Sequence, residues 1–144
     1  MRMILLLLFF SLFGFSAFAT IRTVSNLDAA AQFSTIQAAC DASQSGDSIY
    51  VSPSVYNYEG FSIIDKKLAV FGPGWSPYVG TPAVVSNCIL TGAAASGSEL
   101  NGIYFSAGIT VNNSDINGLI ISRNRIHGII FWGSVASYII EGNW

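Results

Sequence analysis

Asn101-Gly-Ile-Tyr-Phe-Ser106, Asn117-Gly-Leu-Ile-Ile-Ser122 and Ala136-Ser-Tyr-Ile-Ile-Glu141 align on one another, and the last two agree again further on, at Asn124 and Asn143. Short β-rich runs bounded by Gly, Asn, Ser or Pro suit either a small antiparallel barrel or sandwich, or a solenoid of stacked coils. A hairpin places Asn-Gly in a two-residue turn between strands that pair directly. Here both Asn-Gly pairs instead open a unit, in the same place each time. The repeat therefore points to parallel strands stacked about 4.8 Å apart. The fold expected is all-β: a right-handed parallel β-helix, a solenoid with one apolar interior along its axis and a short amino-terminal capping helix. Leu119, Ile121 and Ile126 then point inward, with Tyr138 and Ile140 above them. Asn124 and Asn143 form a step of an asparagine ladder, inward amides that satisfy polar groups at a bend. The alternative for these two is an ordinary turn asparagine each.

Upstream of the repeat, the same kind of run recurs at 61–64, 68–71 and 84–90, and within the repeat region at 103–105, 109–111 and 129–132. Ser34 to Ser43 differs: Ile36, Ala39, Cys40 and Ser43 fall on one stripe at helical spacing. Ser34 is the expected N-cap and Gln37 takes the capping-box position. Gln44-Ser45-Gly46-Asp47 reads as a turn, and Ser48-Ile49-Tyr50-Val51-Ser52-Pro53 as an alternating strand stopped by proline.

The stretch from Phe33 to Tyr56, with its Ile36-Gln37-Ala38-Ala39 helix, Gly46-Asp47-Ser48-Ile49-Tyr50-Val51 and Pro53-Ser54-Val55-Tyr56, resembles the amino-terminal cap and first coil of pectin-lyase-like right-handed β-helix proteins. Ser54 stands where that group usually has glycine. The resemblance implies an extracellular carbohydrate setting, but the fold carries lyases, hydrolases, epimerases, adhesins and phage tail parts alike.

Arg2, the apolar run from Ile4 to Phe18 and the pattern Ala17-Phe18-Ala19 read as a signal peptide over residues 1–19, cut after Ala19. A membrane anchor is the rival, but Ser11, Gly14 and Ser16 interrupt the run and no charged stop follows it. Residues 20–144 then form one domain, secreted or at the cell surface, with no membrane insertion after cleavage. The chain stops within an unfinished coil, so this domain is expected to be truncated at its carboxyl end. Formal charge is −2 and the six basic residues are scattered, which disfavours nucleic acid as a partner. Only 10% of residues are charged, so the exterior must be largely Ser, Thr, Asn and Gly. Cys40 and Cys88 allow one disulfide or two buried thiols.

A lyase needs a base and charge-neutralising cations, and a hydrolase of this fold needs grouped carboxylates. The acids Asp28, Asp41, Asp47, Glu59, Asp65, Glu99, Asp115 and Glu141 are dispersed, and one His with two Cys makes no metal-binding spacing. No metal and no cofactor are expected. The densest polar cluster, and the one set of candidates for a catalytic role, is Arg123, Arg125 and His127, with Glu141 one coil later and Trp144 over Arg125; a guanidinium stacked on an indole beside an imidazole suits an acidic sugar, and the alternative is a solvated turn with a stacked pair. Tyr56, Tyr58, Trp75 and Tyr78 are aromatic candidates for stacking on sugars or for packing over an open coil. Asn112-Asn113-Ser114 fits the N-glycosylation pattern. The functional expectation is a secreted or cell-surface module that binds polysaccharide or cell-surface glycan, adhesin-like or structural, with no catalytic site in these residues. The alternative is the amino-terminal part of a polysaccharide lyase or glycoside hydrolase of pectin-lyase-like fold.

Overall fold

Ser48–Val51 shows in miniature how the chain builds its core: Ile49 and Val51 are buried while Tyr50 between them is exposed, the alternation of a strand with one face inward. The computed structural model describes residues 19–74, 76, 80–112, 115–133 and 136–144. Its strands are β1 (Ile21–Val24), β2 (Ser48–Val51), β3 (Phe61–Ile64), β4 (Ala69–Phe71), β5 (Val84–Thr91), β6 (Glu99–Asn101), β7 (Tyr104–Asn112), β8 (Asn117–Ser122), β9 (Arg125–Ile126), β10 (Ile129–Trp132) and β11 (Ala136–Glu141). Among the described residues, one helix, α1 (Ile36–Ala42), and a 3-10 turn (Ala93–Ala95) complete the elements. The expected signal peptide, apart from Ala19, lies outside the described residues.

The strands sort into two sheets, one ordered β1-β2-β4-β6-β8-β11 and the other β10-β7-β5-β3 with β9 beside β7. Every strand pairing is parallel. This corrects the right-handed parallel β-helix expected from the repeat. With two open sheets, neither closed on itself, and one helix, the architecture is an α/β-like sandwich rather than a stack of solenoid coils. The physical reason is unequal spacing. Ser48 lies opposite Ala69, Ala69 opposite Glu99 and Glu99 opposite Ile120, so the chain advances unevenly between neighbouring strands. The longest advance takes in all of β5 and the 3-10 turn, and the β5–β7 register shifts between Val85 and Asn87. Equal coils would need equal advances.

The parallel register aligns apolar residues into rows. Ile49, Val70, Leu100 and Ile121 follow one another across the first sheet, and Phe61, Cys88 and Ile109 across the second, all buried. Each large side chain so buried stabilises by about 1.5–3 kcal/mol. The rows run out at β11: Tyr138 and Ile140 stand over Leu119 and Ile121 as the sequence suggested, yet are 49% and 41% exposed because β11 is the last strand of its sheet.

At the other end α1 lies against β1, β2 and β3, where both sheets begin, and buries Ile36, Ala39 and Cys40. Its N-cap is Thr35, not Ser34: Thr35 is extended and its Oγ1 accepts from Ala38 N at 3.2 Å. Gln37 is thereby released from the capping box and bonds the edge of β3, its Oε1 accepting from Ser62 N at 2.7 Å and its Nε2 donating to Ser62 O at 3.4 Å. An amide side chain thus occupies main-chain groups that an open edge would present to other chains. At the helix's other end the Lys66 ammonium donates to Cys40 O and Ser43 O, both at 3.0 Å, placing a cation on the orphan carbonyls.

Cys40 and Cys88 are separate buried thiols. Burial pushes Cys40 up to about 12, with the Asp41 charge adding to the effect, and raises Cys88 well above the ordinary thiol value.

Candidate functional site

Arg125 opens β9 directly opposite Tyr104 on β7. Ile126 packs against the core, so alternation turns Arg125 and His127 outward, and both are exposed. The Arg125 guanidinium lies over the Tyr104 ring, 4.6 Å from its centroid. Sequence spacing had assigned that stacking to Trp144. Trp144 brackets Arg125 through its main chain, donating to Asn124 O at 3.0 Å and accepting from Ile126 N at 2.8 Å, and Tyr104 on the paired strand β7 lies beneath the guanidinium. His127 is fixed on the same side by its N–H donating to Phe105 O at 3.3 Å. Arg123 precedes them at a left-handed bend (φ 54°), where its N–H donates to Glu141 O at 3.1 Å. Glu141 stands opposite Ser122, as expected.

The bend is held from within by asparagines. Asn124 is fully buried, its Oδ1 accepting from Ile103 N at 2.9 Å and its Nδ2 donating to Leu100 O at 2.8 Å. Asn143 repeats the pattern on the next strand, Oδ1 accepting from Asn124 N at 2.8 Å and Nδ2 donating to Ile121 O at 2.7 Å. The amides bond the main chain of the preceding strand rather than each other. Oxygen and nitrogen of each amide both bond main-chain groups, tying the segment that carries Arg123, Arg125 and His127 to the strands before it.

A guanidinium placed over an aromatic ring can still donate two parallel bonds from its edge to a carboxylate. No group of three His, Cys, Asp or Glu able to hold a metal occurs among the described residues. The arrangement is equipped to bind an anion of planar geometry, with an exposed imidazole beside it.

The aromatic candidates separate. Tyr58 is buried, its hydroxyl donating to Ser52 O at 3.0 Å, and so belongs to the core. Tyr56 is 65% exposed. Trp75 and Tyr78, and Asn113 and Ser114 of the glycosylation pattern, lie outside the described residues. Beside Tyr58 a hollow of about 190 Å³ is lined by Asn26, Ser34, Asn57 and Glu59 among others, a feature no sequence pattern announced.

The second polar centre that sequence reasoning missed is Asp47. Its Oδ1 accepts from Thr20 N at 2.8 Å, and its Oδ2 from Gln44 N at 3.0 Å and Arg22 Nε at 3.2 Å, with Arg22 Nη2 at 3.1 Å. Burial works to raise its pKa, but the donors from Gln44, Thr20 and Arg22 outweigh burial and hold the carboxyl below the usual carboxylate value. The turn Gly46-Asp47 gave the residue a local reading, and its long-range partners Thr20 and Arg22 carry no sequence signature.

Comparison with known protein families, with curated proteins and with solved structures finds no match to this chain.

Proposed function

We propose that this chain is an exported, non-catalytic module that binds acidic glycans through the Arg125–Tyr104 platform. The supporting observation is the guanidinium held 4.6 Å above the Tyr104 ring centroid, with exposed His127 on the same face. A uronate carboxylate fits the edge of the Arg125 guanidinium. Export is supported by the apolar run ending at Ala17-Phe18-Ala19. The test is calorimetric binding of polygalacturonate, alginate and a neutral glucan by the purified chain, with product release followed in parallel. The proposal expects binding of the two acidic polymers, its loss in Arg125→Ala, and no cleavage. Turnover abolished by His127→Ala, or equal binding of the neutral glucan, overturns it.

A further inference from the structure

Thr20 stands at two boundaries at once. It follows Ala17-Phe18-Ala19, the small-residue pattern at which leaders are cut. It is also tied into the first sheet, since its carbonyl accepts from Ser48 N at 2.9 Å just before β1 begins. Its N–H donates to Asp47 Oδ1 at 2.8 Å. Ala19 and Thr20 are both exposed, so the bond between them is reachable, whereas Asp47 is only 3% exposed.

From this juxtaposition we infer that hydrolysis of the Ala19–Thr20 peptide bond turns the Thr20 amide into an α-ammonium seated on the Asp47 carboxylate, so that removal of the leader locks β1 in place. The step is a peptide hydrolysis by a leader peptidase. The C–N bond breaks, and water gives its hydroxyl to the Ala19 carbonyl carbon and a proton to the Thr20 nitrogen. The Ala19 acid then ionises, and the amine takes up a further proton below its ordinary pKa of about 7.7–8.0. The main-chain amide offers Asp47 one donor and no net charge; the ammonium offers three donors and a full charge. The two cations divide the carboxylate, Arg22 on Oδ2 and Thr20 on Oδ1.

The charged groups facing the amine are Asp47, which favours its protonated form by direct contact, and Arg22, which opposes it from the far oxygen. Lys67 meets this turn through its main chain, accepting from Gly46 N at 2.7 Å, while its side chain lies along Gly97. The contact needs the protonated amine, so the stabilisation it brings is present where the amine is charged and is lost when alkali deprotonates it.

The experiment begins with amino-terminal sequencing of the exported protein, which is expected to start at Thr20. That product is then compared with a form retaining Ala19, both as native sequence and as Asp47→Asn. The Thr20 form should unfold at the higher temperature at about pH 6.5, well below the ordinary amine pKa. The advantage should vanish in alkali, about two units or more above the ordinary amine pKa, and in the Asp47→Asn background. Acylation of the Thr20 amine near neutral pH should be slower in the native protein than in Asp47→Asn, because only the native carboxylate holds the amine as an unreactive ammonium. A start other than Thr20, or equal unfolding temperatures for the Thr20 and Ala19 forms, overturns the inference. If Asp47→Asn does not fold, that native-sequence comparison decides alone.

Discussion

Replacing Asp47 by Asn tests whether one carboxylate fastens β1 to the rest of the fold. The substitution keeps shape and one acceptor oxygen, but turns an NH₂ toward donors that Oδ2 now receives, Arg22 Nε and Gln44 N. Two bonds to a charged acceptor are lost, each contributing about 1.5–3 kcal/mol. Breaking a fully buried pair costs about 3–5 kcal/mol. The pair is not fully buried: Asp47's side chain is 4% exposed but Arg22's is 20%, so solvent screens part of the interaction. An overall loss of about 2–4 kcal/mol follows, which in a domain of this size lowers the unfolding midpoint by roughly 10 °C. Because the folded pKa of Asp47 is depressed, its contribution is complete above the unfolded value near 3.9 and is lost as pH falls through the folded value. Thermal unfolding followed by circular dichroism should therefore show a large gap between native and variant proteins at neutral pH that closes in strong acid. A gap that is negligible at neutral pH, or that stays constant into acid, refutes the reasoning.

Other consequences follow from the same structure. Ile36→Asp places an unpaired charge under α1, where Ile36 is 2% exposed, and should cost several kcal/mol, read as a large drop in unfolding midpoint; an unchanged midpoint shows that the helix does not seal the core. Lys66→Met removes the cation from the carbonyls of Cys40 and Ser43 and should cost about 1–2 kcal/mol by denaturant titration, with no change in the dependence on denaturant. Cys40 and Cys88 should stay unreactive toward a thiol reagent at neutral pH and react only on unfolding, since burial raises both; rapid labelling of the native protein contradicts their placement.

The sequence announced what is local and periodic. The stripe Ile36, Ala39, Cys40 and the aligned segments from Asn101, Asn117 and Ala136 are visible because burial repeats at fixed spacing. The parallel stacking of Leu119 with Tyr138 and Ile121 with Ile140 was legible for the same reason. The division into two open sheets was not. It depends on how far the chain travels between paired strands, and the long passage from Ala69 to Glu99 contains a strand and a turn that no repeat encodes. The cap moved by one residue because Ser34 and Thr35 are both competent cappers and only the backbone conformation of Thr35 decides between them. Arg125, His127 and Arg123 were identified as a cluster from their proximity along the chain. The contact of Arg125 with Tyr104 was not legible because Tyr104 is a neighbour only through β7 pairing with β9. Asp47 was invisible as an anchor since its partners Thr20 and Arg22 lie far away in sequence.

The most direct test of the acidic-glycan reading is a calorimetric titration of an oligogalacturonate into the native protein and into Arg125→Lys. Lysine keeps the charge but loses the planar, two-pronged donor geometry that stacking on Tyr104 presents. The account predicts binding to the native protein and at least about tenfold weaker binding to the variant, equivalent to one lost bond of about 1.4 kcal/mol. Equal affinity for the two proteins, or no binding to the native one, contradicts it.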